Sequence, residues 1–333
     1  MTRRLVLVTG GAGFIGSNIV ADLAGDNNFE VAVCDRLRNA DDGKWRNIAK
    51  HPIVDFVAPH EIFPWLYRNA DRLLAVVHMG AISSTTEPDA DHIIHTNFGL
   101  SRDLFRWCAE HRQRFIYASS AATYGDGSLG FVDRDDPDSL AALRPLNAYG
   151  WSKALFDTFA AREAAAGRHP AQWVGLKFFN VYGPNEEHKR SMRSIASQIW
   201  PNIQNNVQVK LFKSYRSEYP DGGQLRDFVY VRDAVSVIRW LINTPEVNGI
   251  YNLGSGTSRT FVALAEAAFK AAGKIPDIVY TDMPVSIRDK YQYFTQARME
   301  KLYQAGYSGN STSLEDGIYD YCKNYLNNAD PYR

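Results

Sequence analysis

Tyr149 and Lys153 stand four residues apart in the stretch Tyr149-Gly150-Trp151-Ser152-Lys153. On a helix, that spacing puts both side chains on one face. An ammonium beside a phenol favours phenolate and draws its pKa from about 10 toward neutrality, which would make a usable general base. The lysine could also hold the hydroxyls of a ribose. Such a pair recurs by chance in many chains, and it gains weight here from Ser119-Ser120, which closes the strand-like run 114–120. Parallel α/β sheets collect their ligands at the carboxyl ends of strands, where a serine hydroxyl can bond an oxygen being oxidised. Ser120 alone reads equally well as a strand-end cap. Taken with Tyr149 and Lys153 it points to redox catalysis, with Thr123 a lesser contributor.

A second cluster, Gly10-Gly11-Ala12-Gly13-Phe14-Ile15-Gly16, sits where the aliphatic run 5–8 gives way to a helical pattern carried by Ile15, Ile19, Val20 and Leu23. Bare glycines let the backbone approach a pyrophosphate, and a helix start offers free N–H groups and a positive dipole end. Asp35 follows 19 residues after Gly16, closing the next strand-like run. Strand, helix and acid together predict dinucleotide binding, with Gly10, Gly13, Phe14, Ile15 and Gly16 against the cofactor. Asp35 could accept from a ribose diol, which favours NAD. Arg36, with Arg38, Lys44 and Arg46 close behind, could instead hold a 2′-phosphate while Asp35 turns aside. A solvated basic loop would carry the same residues. The expectation is a tightly bound NADP, with NAD possible.

Strand-like runs at 5–8, 30–35, 53–57, 73–78 and 114–120 alternate with helical patterns at 14–25, 60–69 and 89–112. An alanine-rich helix over 147–166 precedes a further run at 173–181. This alternation predicts right-handed β-α-β units and a parallel sheet covered on both faces. Beyond Pro184 the segment 185–225 is polar and basic and ends near the turn Pro220-Asp221-Gly222-Gly223. Shorter elements follow at 228–231 and 250–253, with helices at 260–272, after Thr295 and after Ser313. The expected fold class is α/β: a Rossmann-type doubly wound parallel sheet with a smaller C-terminal α/β substrate lobe. Residues 1–180, with returning segments about 226–258, form the expected NADP-binding domain. Residues 181–225 and 259–333 form the substrate-binding lobe.

The 333 residues carry 37 Lys plus Arg against 37 Asp plus Glu, a formal net charge of zero that argues against a duplex backbone or an anionic membrane as partner. Seven scattered tryptophans show no basic interleaving, so no nucleic acid is expected. Cys34, Cys108 and Cys322 are odd in number and lack C-x-x-C spacing, which disfavours a disulfide framework and a zinc cluster. His92 and His95 lie three apart without a third ligand at a fitting distance, so no metal is expected. No G-x-S-x-G elbow is present. Neither a secretory apolar core nor a run of about 18 apolar residues occurs, so a cytoplasmic protein with no membrane association is expected.

The TGGAGFIG turn, the Tyr149–Lys153 pair and the C-terminal lobe resemble the extended short-chain dehydrogenase/reductases. Further strings narrow the likeness: Ser83-Ser84-Thr85-Thr86-Glu87, the stretch from Tyr117 through Ala118, Ser119, Ser120 and Thr123 to Gly125, and Phe179-Asn180-Val181-Tyr182-Gly183-Pro184. Glu187-His188-Lys189, Ser191-Met192, Arg226-Asp227-Phe228 and Tyr291-Gln292-Tyr293-Phe294-Thr295-Gln296-Ala297 extend it to about residue 300. In these the chain resembles the ADP-L-glycero-D-manno-heptose 6-epimerases of lipopolysaccharide inner-core synthesis.

That resemblance implies a redox cycle on ADP-heptose. Hydride leaves C6″, a transient 6″-ketone turns its other face, and hydride returns with inverted configuration. Two acid/base groups are then needed, and the resemblance implies Tyr149 for one and Lys189 for the other. It further implies Asn180, Ser191, Ser120 and Tyr291 as substrate contacts, with Gln198 standing where the family can place a histidine. Arg226 suits a pyrophosphate by its fork geometry. Phe212 could pack on an adenine or serve the core equally well. Met79, Gly80, Ala81, Ser83 and Val181 are expected against the cofactor, and Asn97 on the sheet or nicotinamide side. Arg36, Gln198, Lys177 and the long 213–225 loop depart from the family pattern. A homo-oligomer is expected. The alternatives are a UDP-hexose 4-epimerase, which would use Tyr149 and Lys153 without Lys189, and a silent dinucleotide sensor. A sensor has no need of the matched Tyr149, Lys153 and Ser120. A 4,6-dehydratase is disfavoured because Tyr124-Gly125 follows Thr123 where that activity places an acidic pair.

Overall fold

The computed structural model describes residues 3–38, 40–84, 87–288 and 291–333. Thr85 and Thr86 of the serine–threonine string lie outside the described residues. The strands are β1 (Arg4–Thr9), β2 (Phe29–Cys34), β3 (Asp55–Val57), β4 (Leu73–His78), β5 (Arg114–Ser120) and β6 (Gln172–Phe178), then β7 (Asn180–Tyr182), β8 (Val209–Phe212), β9 (Leu225–Tyr230), β10 (Gly249–Leu253), β11 (Ser258–Thr260) and β12 (Ile278–Thr281).

Seven of them form one sheet in the order β10-β6-β5-β4-β1-β2-β3, with every pairing parallel. This is the doubly wound arrangement expected from the alternation, and the sequence of β1 shows why it is stable. Val6 and Val8 enter the core that contains Ile19, Val20 and Leu23 of the helix Phe14–Ala24 and Val235, Ile238 and Leu241 of the helix Val231–Asn243. Leu5 and Leu7 enter the opposite core, with Leu104 and Phe105 of the helix Leu100–Glu110 and Phe156 and Ala160 of the helix Ala148–Ala165. A strand buried on both faces must be apolar at every position, because the side chains alternate between two dry layers.

Two smaller sheets stand apart from the large one. In the first, β9 lies between β11, antiparallel, and β7, parallel; in the second, β8 pairs with β12 in parallel. A third core of Trp200, Ile203, Leu211, Phe228, Leu264 and Ile318 sits among them.

Several expectations need correction. The run 173–181 is not one strand: β6 ends at Phe178, and Asn180 begins β7 against Phe228. The helix over 89–112 is interrupted by a π-helical turn at Ile94–Gly99. The segment 185–225 contains the helix Ile195–Gln204, whose buried Ala196, Ile199, Trp200 and Ile203 form an apolar stripe inside a polar stretch. The helix Val231–Asn243 follows β9 with no loop between them, which masks the change of period. Among the described residues no helix is long and apolar enough to cross a membrane, and no group of three or more His, Cys, Asp or Glu could hold a metal ion.

Candidate active site

A cleft of about 1090 Å³ opens at the carboxyl ends of the central strands and reaches into the smaller lobe. The glycine turn forms one wall. Gly10 has φ +64°, and a Cβ there would fall 2.7 Å from the Gly80 backbone. At Gly16 a Cβ would fall 2.1 Å from the Gly10 carbonyl. Only glycine lets the turn press against both the following helix and the end of β4. The helix beginning at Phe14 takes no side-chain cap, so its first turn offers backbone N–H groups to an anion. A dinucleotide pyrophosphate fits this cradle.

Asp35 lies just past β2, and its carboxylate is already engaged. Ala12 N donates to Oδ2 at 2.9 Å, while Lys44 Nζ and Arg36 N each donate to Oδ1 at 2.6 Å. Arg36 and Arg38 line the cleft beside them; Arg46 does not, and faces a second cavity with Trp45.

The helix Ala148–Ala165 begins where Asn147 Oδ1 accepts from Gly150 N at 2.8 Å. A Cβ on Gly150 would fall 2.7 Å from the Ala122 carbonyl, so its absence sets the helix start tightly against the turn after β5. Tyr149, Ser120 and Lys153 thereby meet in the cleft. Lys153 Nζ donates to the Ala118 carbonyl at 2.7 Å. Burial pushes the Lys153 ammonium down to about 8, while the negative charge of Asp157 opposes that shift.

The Tyr149 phenol does not follow the expectation. Burial raises its pKa above the ordinary value, the Asp157 charge raises it further, and the hydrogen bond with Ser120 pulls it down. Burial is the largest influence on the phenol, and Lys153 is turned to the Ala118 carbonyl.

On the opposite side, Lys189 occupies the turn Glu187–Met192, which is kinked at Arg190 with φ 53°. Its ammonium lies 3.8 Å from Glu186 Oε2 and 4.9 Å from the Phe14 ring centre. Burial lowers the Lys189 pKa, and the Glu186 charge opposes the change.

Residues 6–254 match the model of the NAD dependent epimerase/dehydratase family. The chain belongs to that family. It is 47% identical, over 98% of its length and 100% of the relative's, to an ADP-L-glycero-D-manno-heptose-6-epimerase of Nitratidesulfovibrio vulgaris. A Fusobacterium nucleatum protein of the same name is 44% identical over 98% of this chain and its own full length. The crystal structure of the Helicobacter pylori ADP-L-glycero-D-manno-heptose-6-epimerase superposes with a TM-score of 0.77 at 27% identity, covering 97% of this chain and 96% of that one. The protein is therefore an epimerase, and so an isomerase.

Most of the residues singled out in the epimerase sequence line this cleft. Met79, Gly80, Ala81 and Ser83 follow β4, and Val181 sits on β7. Asn180, Ser191 and Gln198 line the far wall, where Gln198 Nε2 donates to the Arg193 carbonyl at 2.7 Å. Arg226 is nearly buried, with its guanidinium 5.0 Å from the Tyr291 ring centre and 5.7 Å from that of Phe261. Phe212 lies edge-on to Tyr291 and also lines the cleft.

Asn97, expected on the sheet or nicotinamide side, stands apart from the other named residues. It is fully buried and does not line the cleft; Ile82 N donates to its Oδ1 at 2.8 Å, and its Nδ2 donates to the Ile82 carbonyl and to Ser152 Oγ, each at 3.0 Å. It holds the loop after β4 to the helix Ala148–Ala165. Sequence reasoning gave His188 no role of its own and missed Lys210 and Gln224; all three line the epimerase cleft. Glu186 was missed as well: Ser194 N donates to its carboxylate at 2.6 Å and the Tyr321 hydroxyl at 2.9 Å. Its only local signal was proximity to Lys189.

Proposed function

We propose that the epimerase inverts C6″ of ADP-D-glycero-β-D-manno-heptose to give ADP-L-glycero-β-D-manno-heptose for lipopolysaccharide inner-core synthesis. The supporting observation is that Tyr149 and Lys189, two proton-transfer groups from different elements, line one cleft with the glycine turn. Inversion through a 6″-ketone needs a proton acceptor on one side of the carbon and a donor on the other. A 4-epimerase of UDP-hexoses has no part for Lys189. The full-length likeness to relatives bearing the heptose epimerase name points the same way.

A nicotinamide dinucleotide held here would supply reversible hydride transfer at C6″. The chain's own residues do the rest. The Gly10–Gly16 turn and the helix start hold the pyrophosphate. Met79, Gly80, Ala81, Ser83 and Val181 shape the wall, and Lys153 offers its ammonium to the ribose. Arg36 and Lys44 favour NADP, because the Asp35 oxygens already have partners within the chain. Ser120 holds the reacting oxygen. One of Tyr149 and Lys189 takes the hydroxyl proton as the ketone forms, and the other supplies a proton as the ketone is reduced. Lys189, with its lowered pKa, reaches the neutral form more readily than a surface lysine. Arg226 binds the substrate pyrophosphate, while Phe212 and Tyr291 face the nucleotide; Asn180, Ser191 and Gln198 meet the sugar.

On this reading, residues 1–180 with 226–258 carry the cofactor, and residues 181–225 and 259–333 carry the substrate. The protein works in the cytoplasm as a homo-oligomer.

The test is proton NMR of ADP-D-glycero-β-D-manno-heptose mixed with purified protein and no added cofactor. Conversion to a mixture dominated by the L-glycero epimer is expected. No conversion after NADP is supplied would remove the heptose assignment.

A further inference from the structure

Behind the cleft lies a charge pair that this reaction does not use. Tyr149, Lys153 and Asp157 follow one another at four-residue intervals on the helix Ala148–Ala165 and so share a face. Tyr149 and Lys153 line the cleft, whereas Asp157 is fully buried and does not. Its partner is Lys177 on β6, also fully buried, with Nζ 2.7 Å from Asp157 Oδ2.

Both members of the pair are well engaged. Ser119 Oγ donates to Asp157 Oδ2 at 2.7 Å, and the Tyr117 hydroxyl donates to Oδ1 at 3.1 Å. Lys177 Nζ also donates to Thr123 Oγ1 at 2.7 Å and lies 4.8 Å from the Tyr124 ring centre. The Thr123 hydroxyl in turn donates to the Ser120 carbonyl at 2.8 Å. Sheet register brings these groups together, since Ser119 pairs with Lys177 and Tyr117 with Gly175 across β5 and β6. A Cβ on Gly175 would fall 2.4 Å from the Tyr117 hydroxyl, so glycine there makes room for the phenol.

Burying an ion pair is a poor route to stability, because apolar residues of similar volume usually pack as well. The charges themselves therefore call for a reason. Even in the intact pair Asp157, two turns from Tyr149, opposes formation of a phenolate there; without Lys177 beside it that negative charge would act unscreened. We propose that Lys177 is a positioning residue of the epimerase: through Asp157 it locks the Ser119–Ser120 strand end to the catalytic helix, and it screens Tyr149 from that buried carboxylate. The inference rests on the acid/base role of Tyr149. The titratable groups around this end of the helix are Lys153 and Asp157 on the helix, Tyr117 on β5, Lys177 on β6, Tyr124 in the following turn and His78 on β4.

The experiment is the pH profile of kcat for the purified holoenzyme and its variants, followed by heptose epimerisation. Lys177→Met should lower kcat about tenfold and move the limb that belongs to Tyr149 alkaline by about one pH unit, with KM and cofactor content held within about twofold. Lys177→Arg should return the limb, because the charge is kept. Lys177→Met with Asp157→Asn should also return it, although kcat stays reduced because the strand end is less firmly held. Asp157→Asn alone should move the limb to lower pH, and it carries the test if Lys177→Met does not fold. An unmoved limb in the folded single variants, or a double variant displaced as far as Lys177→Met, overturns the proposal. Full turnover by Tyr149→Phe would instead remove the acid/base assignment beneath it.

Discussion

Lys44 Nζ lies 2.6 Å from Asp35 Oδ1 in a largely buried ion pair at the mouth of the dinucleotide cradle. Asp35 and Lys44 both line the cleft, so the lysine brings a cation to the place where the carboxylate could accept a ribose diol. Lys44→Ala should weaken NADP binding about 10–100-fold and leave NAD binding within about threefold. Titration of the apoprotein with each cofactor, read by tryptophan fluorescence, checks this; equal losses for both would show that Lys44 does not read the 2′-phosphate.

Tyr149→Phe and Lys189→Ala should each lower the epimerisation rate by about 10²–10⁴-fold, the usual worth of a positioned acid or base. Either variant should still bind cofactor, because the glycine turn is untouched. Epimer ratios followed by NMR at equal protein concentration decide the matter, and a wild-type rate for Lys189→Ala would mean that its side chain moves no proton.

Gly16→Ala places a methyl group 2.1 Å from the Gly10 carbonyl, a contact relieved only by shifting the turn. Overpacking of this kind costs about 1–3 kcal/mol, so the variant should melt at lower temperature and purify with less cofactor. Gly167→Ala is the control. It has open space around its Cβ, and its positive φ of +72° supplies backbone strain without a clash.

His78 is buried between Thr9 Oγ1 at 2.6 Å and Ser101 Oγ at 2.8 Å. The Ser101 hydroxyl donates to the Asn97 carbonyl at 2.5 Å, so His78 Nε2 donates to Ser101 and Nδ1 accepts from Thr9. Burial pushes the imidazole from 6.5 down to about 3. A folded-state pKa below the unfolded one gives stability that is full above about 6.5 and is lost as the pH falls toward 3. The loss attributable to this group should reach several kcal/mol, on the order of 3–5. Urea unfolding at pH 7 and pH 4 should show it, and His78→Gln should narrow the difference between the two midpoints. An unchanged difference would mean that other groups set the acid limit.

Asn97→Ala should leave the loop after β4 without its tie to the helix Ala148–Ala165. About tenfold loss in turnover is expected, with cofactor affinity changed by less than threefold. If affinity fell as far as turnover, Asn97 would bear on the cofactor after all.

Contiguous signals were fully legible in the residue order. The Gly10–Gly16 turn, Asp35 at the end of β2, and Tyr149 with Lys153 at one-turn spacing each announce themselves within a few residues, because backbone geometry and helical period act locally. The same locality marked the strands of the large sheet but not the covering helix Val231–Asn243, whose period is masked by its start directly after β9. Tertiary packing decided what those signals left open. Ala12 and Lys44 bond Asp35, and Asn97 within a π turn bonds Ile82, partnerships that no local pattern announces. The tyrosine–lysine spacing predicted a softened phenol, but the fold turns Lys153 to Ala118 and buries Tyr149. Lys189 comes to Phe14, and Lys177 to Asp157, only through tertiary packing, in which register sets Lys177 beside Ser119. Such pairings join residues far apart in the chain, and no local period encodes which of them will meet.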